Sequence, residues 1–209
     1  DYENKKAYVR RVEVDYYTDA SLAVNLGVLE EVEQSTEGNA TRSHGEVNVT
    51  ALATMFKKIK FDTHENVGSG PIHLPEESMH TTAYWLSLSS KAVAGLGRDE
   101  LQAGLMGLAN ALGIVATVAL MCDRRDLRTA VEVCSPHTGA PTVFLYEAYP
   151  GGVGFSPKLY RMHRTLLEDA RSLIASCDCE RGCPSCVGPL LEVGEGAKGA
   201  TMRMLGSLS

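Results

Sequence analysis

The chain has 209 residues, of which 44% are hydrophobic and 22% are charged, and its formal net charge is −6. This composition is typical of a folded globular protein, and the length suits one large domain or two small ones. The acidic balance argues against a strongly basic nucleic-acid-binding domain, so any contact with nucleic acid would depend on local patches or on a neighbouring domain.

The start of the sequence carries no targeting signal. It begins at Asp1 without a methionine or a signal-like apolar run, and no apolar stretch is judged long and clean enough to span a membrane. Cysteines in a metal-type spacing, combined with the lack of a targeting segment, predict a cytoplasmic protein. We also expect the sequence to be a fragment of a longer chain.

Residues 1–90 are predicted to be β-rich and to form a small antiparallel sheet or barrel, because apolar and polar residues alternate in several short runs. The run Ser21–Gln34 is either a strand or a strand followed by a short charged turn. Ser35–Asn39 has the composition of a loop, and prolines interrupt the pattern at Pro71 and Pro75. The predicted strands are Lys6–Tyr17, Ser21–Gln34, Gly45–Thr54, Met55–Phe61 and His80–Leu88.

Lys57, Lys58 and Lys60 form a local basic run in this acidic chain. Their side chains are candidates for contact with nucleic-acid phosphates, and Phe56 or Phe61 is a candidate for stacking on a base. A solvated strand face explains the same run and is the favoured interpretation, because most charge runs are solvated.

A core helix is predicted within residues 91–121, followed by a second short helix. Apolar residues recur there at helical spacing, and Asp99 and Glu100 lie at the expected first turn, where the helix dipole stabilises acidic side chains.

Thr129–Cys134 and Thr142–Tyr146 then predict a β-hairpin with a long turn. Cys122 and Cys134 are interpreted as small buried residues.

A glycine-rich loop, Tyr149–Phe155, follows the hairpin. Its glycines permit positive φ angles, and a loop that opens a helix can hold an anion, but no phosphate-binding motif is present. Tight packing is therefore the preferred role. Glu147 is a candidate general base, although neither a nucleophile nor a catalytic metal is evident beside it.

Ser156–Ala175 is predicted to be an amphipathic helix, with Ser156 as the N-cap and Pro157 as the first helical residue. It leads directly into the cysteines that follow, so a metal there would fix the end of the helix. A short terminal helix is predicted within the tail, residues 190–209.

Four cysteines fall within ten residues, at Cys177, Cys179, Cys183 and Cys186. Thiolates bind Zn²⁺ tetrahedrally at about 2.3 Å, and four of them leave no open position, so the pattern predicts a structural rather than a catalytic zinc site. Arg181 is a candidate for balancing the negative charge of the four thiolates. Two disulfides are disfavoured by the short spacings, whereas an iron–sulfur cluster uses the same ligands and stays open.

These residues resemble a known family. The loop Glu147–Phe155, the helix after it and the cluster Cys177–Cys186 look like the zinc-binding C-terminal domain of the MrfA-type superfamily 2 DEAD/DEAH-box DNA helicases. Lys57–Phe61, Met79–Leu86 and Met121–Leu127 are similar to the same helicases, so the likeness extends from about residue 45 to residue 189.

The resemblance implies a non-catalytic accessory domain of an ATP-dependent 3′–5′ DNA helicase in DNA repair, with zinc held by the four cysteines. Neither a Walker A motif nor a DExH box is present, so the resemblance places the motor domains upstream. DNA in single-stranded form would be the other partner. The alternative is a protein-interaction module that recruits a repair partner such as a nuclease.

The expected fold class is α+β, in three parts. A β-rich region covers residues 1–90, an α+β zinc-binding domain covers 91–189, and a C-terminal tail covers 190–209.

Overall fold

The computed structural model describes residue 1 and residues 3–208 of the chain. It contains six strands and five helices in these residues, which confirms the α+β class. The strands are β1 (Tyr16–Glu37), β2 (Ala40–Lys60), β3 (Asn66–Pro71), β4 (Glu77–Leu88), β5 (Leu127–Glu132) and β6 (Thr142–Glu147). The helices are α1 (Arg98–Leu120), α2 (Ser156–Arg161), α3 (His163–Ala175), α4 (Leu190–Val193) and α5 (Ala197–Ser207).

The strands form one open sheet rather than a barrel. Its hydrogen-bonded order is β1-β2-β4-β6-β5, and β3 pairs with β2 outside this path. The pairs β2–β3, β4–β6 and β5–β6 are antiparallel. In the register of the central pair, Trp85 lies opposite Phe144, and Leu86 lies opposite Val143.

The chain divides into two compact units. The first, which we call the arm, comprises residues 1–25 and 49–79; the second, which we call the zinc-bearing unit, comprises residues 26–48 and 80–209. The division passes through β1 and β2, so each of these long strands contributes to both units. The predicted boundaries at residues 90 and 189 stay a prediction.

The arm contains β3 and parts of β1, β2 and β4. Among its described residues only Val49 is buried. The predicted strand Lys6–Tyr17 is wrong for most of its length, because β1 begins at Tyr16 and the ten residues before it belong to no strand. The two strands predicted within 45–61 are a single strand, β2, and β3 was not predicted.

The zinc-bearing unit has a dense apolar core. Helix α1 packs against β5 and β6 and against helices α3 and α5, and Tyr84, Leu86 and Leu145 of the sheet belong to the same core. The predicted strand His80–Leu88 and the predicted hairpin are confirmed within two residues at most ends. The core is therefore built from the regions with the clearest helical and strand periodicity.

Helix α1 is one continuous helix of 23 residues, so the predicted second short helix is absent from residues 98–120. By length and composition it is apolar enough to cross a membrane, which contradicts the sequence-based judgement that no such stretch exists. Leu105, Leu108 and Leu112 are fully buried within the core, which explains the apolar composition by packing.

The predicted helix Ser156–Ala175 is divided at Met162 into α2 and α3, and Phe155 rather than Ser156 precedes the first turn. The tail forms α4 and α5, and Met204 and Leu205 of α5 are buried in the core. The predicted terminal helix is thus confirmed, with a packed position.

Candidate metal centre

The four-cysteine segment lies between α3 and α4, and its backbone turns sharply. Gly182 has a φ of +120°, a conformation that side chains rarely adopt, and a Cβ at this position would meet the side chain of Val187 at 2.5 Å. The N–H groups of Cys186 and Gly188 both donate to the carbonyl of Cys183 at 3.0 Å. This tight turn brings the last two cysteines to the first two.

The four sulfur atoms converge on one point. Sγ–Sγ distances are 3.5 Å for Cys177–Cys179, 3.6 Å for Cys177–Cys183, 3.5 Å for Cys179–Cys186 and 3.7 Å for Cys183–Cys186, and all four atoms lie within 4.8 Å of one another. A tetrahedral ion with bonds of about 2.3 Å requires sulfur atoms roughly 3.8 Å apart. The arrangement therefore fits a single structural zinc ion.

The same distances favour a zinc site over the alternatives left by the sequence. A disulfide needs sulfur atoms about 2.05 Å apart, and all four cysteines are free thiols. The thiolates that hold an iron–sulfur cluster bind several iron atoms. These four sulfur atoms instead enclose a space that fits one ion. Four thiolates complete a tetrahedral shell, so the site has no open position for substrate.

The thiols of Cys183 and Cys186 differ in acidity. The backbone N–H of Ser185 and the neighbouring thiol of Cys177 lower the pKa of Cys183 to about 7, whereas burial raises the pKa of Cys186 to about 12. Since zinc binds thiolates, metal binding must release the remaining protons, and acid must favour metal loss.

Two residues distant in sequence hold the cysteine segment to the helices. Asn110 of α1 donates from Nδ2 to the carbonyl of Cys186 at 2.9 Å, and Lys198 of α5 donates from Nζ to the carbonyl of Cys177 at 2.6 Å. Sequence reasoning missed both, because neither lies near the cysteines along the chain. Arg181, proposed to balance the thiolate charge, instead pairs with Glu195 at 3.0 Å.

Glu147 is fully buried at the end of β6 and anchors the glycine loop. Its carboxylate accepts hydrogen bonds from the N–H of Val153, from the hydroxyl of Thr82 at 2.7 Å, and from both the N–H and the hydroxyl of Ser156 at 2.8 Å. Burial raises the pKa of this carboxyl, but the surrounding donors outweigh burial and hold the pKa below its ordinary value. A saturated, ionised carboxylate is a structural anchor rather than a base aimed at a substrate.

The three lysines of the basic run lie on β2 in the arm. Lys57 is exposed, Lys58 and Lys60 are half-buried, and the Lys58 ammonium lies 5.0 Å from the centre of the Tyr16 ring. Phe61 is exposed and packs beside Tyr17, with ring centres 5.7 Å apart. The arm thus places one lysine against an aromatic ring and leaves the Tyr17–Phe61 pair exposed, and contact of these side chains with nucleic acid stays a prediction.

Cys122 and Cys134 lie apart from the metal centre. Cys122 is half-buried and Cys134 is exposed, so the prediction that both are buried is wrong for Cys134.

A buried polar pair in the core was not predicted from the sequence: Tyr84 Oη and His163 Nδ1 are 2.7 Å apart. Burial lowers the pKa of His163 to about 4, which keeps its ring neutral at pH 7.

Comparison with known proteins agrees with this site. Residues 108–187 match the family described as the MrfA Zn-binding domain. The chain is 46% identical over 210 residues to the ATP-dependent helicase YprA of Bacillus subtilis (strain 168), covering all of this chain and 28% of that protein. The resemblance to MrfA-type helicases is therefore confirmed, and zinc is the cofactor that fits the four cysteines.

Solved structures show the same likeness. A crystal structure of the DUF1998 helicase MrfA bound to DNA matches all of this chain with a TM-score of 0.76 and 45% identity, across 28% of that chain. A crystal structure of the DUF1998 helicase MrfA matches 99% of this chain with a TM-score of 0.67 and 37% identity, across 26% of that chain. This chain thus spans little more than a quarter of the length of these relatives.

Proposed function

We propose that this chain is a non-catalytic accessory domain of an ATP-dependent DNA helicase that acts in DNA repair. The observation that carries the proposal is the closed four-thiolate centre, which is held between α1 and α5 inside a segment matching the MrfA Zn-binding domain. A closed site supplies rigidity rather than chemistry. ATP-driven 3′–5′ movement would belong to the remainder of a longer, cytoplasmic protein.

The arm is the proposed contact surface for the motor domains. Its exposed large apolar side chains have no core of their own to cover them, and a unit that buries so little cannot offset the entropy of folding by itself. They are Tyr8, Val9, Val12, Val14, Tyr17, Leu22, Val24, Leu52, Met55, Phe61, Val67 and Leu74. A protein surface that covers them would supply the missing burial.

Hydrogen exchange tests this contact. It would be measured on the isolated chain and on the full-length helicase that contains it. Amides of residues 16–25 and 49–60 are expected to gain protection in the longer protein, while amides of α1 stay protected in both. Equal exchange rates of the arm amides in the two samples would remove the proposed contact.

Single-stranded DNA is the proposed nucleic-acid partner, with Lys57, Lys58 and Lys60 contacting phosphates and the exposed Tyr17–Phe61 pair stacking on a base. Fluorescence anisotropy of a labelled oligonucleotide, titrated at several salt concentrations, would measure the contact. Each lysine that touches a phosphate should reduce the salt slope by about 0.7 when replaced by glutamine. Lys91→Gln, an exposed lysine in the zinc-bearing unit, is the matched control.

The second candidate is a module that recruits a protein partner such as a nuclease. The net charge of −6 favours it, because an acidic surface repels DNA and attracts basic proteins. If the chain fails to bind the oligonucleotide even at low salt, alone and within the longer protein, this candidate replaces DNA contact. The structural role of zinc would be unaffected by that result.

A further inference from the structure

We propose that Lys198 is an outer-shell residue of the metal centre, which positions the first two thiolates and offsets part of the charge that builds up when zinc is bound. Lys198 lies in the first turn of α5, 21 positions after Cys177 in the sequence. It is a positioning residue, since its ammonium group acts on the ligands rather than on the metal.

The ammonium group of Lys198 is directed entirely at the metal centre. Nζ donates to the carbonyl of Cys177 at 2.6 Å and to the carbonyl of Cys179, and it lies 3.6 Å from the Cys179 sulfur. An ammonium group has three protons, and these three acceptors account for all of them. Among the described residues Lys198 forms no ion pair with a carboxylate.

Charge explains why a lysine belongs at this position. Four thiolates around one divalent ion carry a net charge of about −2, and such a charge in a partly buried site needs a nearby cation or donor. Arg181 is the nearest basic residue in sequence, but it pairs with Glu195 and leaves this role open. Lys198 is half-buried, so water and salt screen its charge less than that of a surface lysine.

The metal centre has two halves, Cys177 with Cys179 and Cys183 with Cys186, and different contacts hold them. Asn110 holds the second half through a neutral hydrogen bond to the Cys186 carbonyl, whereas Lys198 holds the first half with a charged group. Side chains that orient metal ligands in this way change metal affinity by about 10–100-fold when they are removed. The charged contact is expected to be the stronger of the two.

Zinc affinity, measured by competition with a chromophoric chelator, tests the proposal on the 209-residue chain. Lys198→Met should weaken zinc binding by about 10–100-fold, and Lys198→Gln, which retains a donor without the charge, should lie between Met and the unmodified protein. The absorption of the cobalt-substituted protein should still be that of tetrahedral four-thiolate coordination, because all ligands remain.

Two variants of α5 serve as controls. Arg203→Met removes another α5 cation, which pairs with Glu100 at 2.8 Å, far from the cysteines in sequence. Thr201→Val removes the buried hydrogen bond to the Gly104 carbonyl and should lower thermal stability. Neither should change the zinc affinity of the folded protein by more than about twofold.

The pattern across the four variants decides the outcome. Zinc binding that is weak in Lys198→Met and less weakened in Lys198→Gln, with normal affinity in both controls, supports the outer-shell role. Equal zinc affinity in Lys198→Met and Arg203→Met overturns it. If Thr201→Val weakens zinc binding as much as Lys198→Met, the effect comes from the docking of α5, and the proposal is likewise wrong.

Discussion

The arm and the zinc-bearing unit are stabilised in different ways. The zinc-bearing unit buries Tyr84, Trp85 and Phe144 completely, and its cysteine segment is tied to α1 and α5. The arm buries only Val49 among its described residues and relies on backbone pairing between strands. Isolated strand ribbons are marginally stable in water, so the zinc-bearing unit should carry most of the measurable stability.

Among the changes that test this difference between the units, removal of the metal is expected to cause the largest loss of unfolding free energy. Cys186→Ser, or chelation of the unmodified protein, should cost more than about 4 kcal/mol of unfolding free energy, because zinc binding and folding are coupled. Hydrogen exchange should show lost protection from α3 through α5, with little change in the arm. Unchanged circular dichroism and melting after complete metal removal would contradict the structural role of zinc.

Two leucine-to-alanine variants, one in each unit, compare how much side-chain packing stabilises the two units. Leu108→Ala in α1 removes a fully buried side chain and should cost about 2–5 kcal/mol. Leu22→Ala in the arm shortens a side chain that is 51% exposed and should cost less than about 0.5 kcal/mol. Denaturant unfolding in the presence of zinc measures both. A cost for Leu22→Ala as large as that for Leu108→Ala would mean that the isolated arm has a core of its own.

His163 makes the stability of the zinc-bearing unit depend on pH. Its pKa is about 4 in the folded chain and about 6.5 when unfolded, so the unfolded state takes up the proton first as the pH falls. The penalty begins near pH 6.5, grows down to about pH 4, and reaches about 3 kcal/mol.

His163→Gln should remove this part of the pH dependence, which unfolding curves between pH 4 and 7 would show. Acid also favours zinc loss, but it does so in both proteins, so their difference isolates the histidine. His73→Gln, at an exposed histidine of the arm, is the matched control substitution. Parallel stability curves for His163→Gln and the unmodified protein would contradict the assignment.

The same contrast explains what could be predicted from the sequence. The periodicity of α1 and the spacing of the four cysteines are local patterns, and both led to the right structure. Lys6–Asp15 has the alternation of a strand, but a strand also needs a pairing partner, which local sequence does not reveal. β3 contains Gly68, Gly70 and Pro71, residues of low strand propensity, and forms through its pairing with β2.

The residues that support the metal centre were beyond sequence reasoning for a similar reason. Asn110 lies on α1 and Lys198 on α5, two helices that pack together, and both contact the cysteine segment from there. Nothing in their local sequence distinguishes them from other surface lysines and asparagines. The clustering of the four cysteines was therefore predictable from their spacing, and the residues that contact this segment were not.

The smallest expected difference in stability between the two units comes from a pair of glycine-to-alanine substitutions. A Cβ on Gly45, in the zinc-bearing unit, would lie 1.9 Å from the backbone carbonyl oxygen of Glu30. A Cβ on Gly70, in the arm, would lie 2.7 Å from the Phe56 ring, a side chain that is only half-buried and can rotate away. Gly45→Ala should thus cost about 1–3 kcal/mol, and Gly70→Ala less than about 1 kcal/mol.

Denaturant unfolding would compare the two variants, with near-ultraviolet circular dichroism around the single tryptophan as a second probe. Trp85 is fully buried on β4 in the zinc-bearing unit, so its signal should change in Gly45→Ala and stay constant in Gly70→Ala. The difference arises because backbone neighbours in a packed sheet cannot move apart without breaking ladder hydrogen bonds, whereas a ring at the surface rotates at little cost. Equal losses of stability in the two variants would show that the arm is packed as rigidly as the zinc-bearing unit.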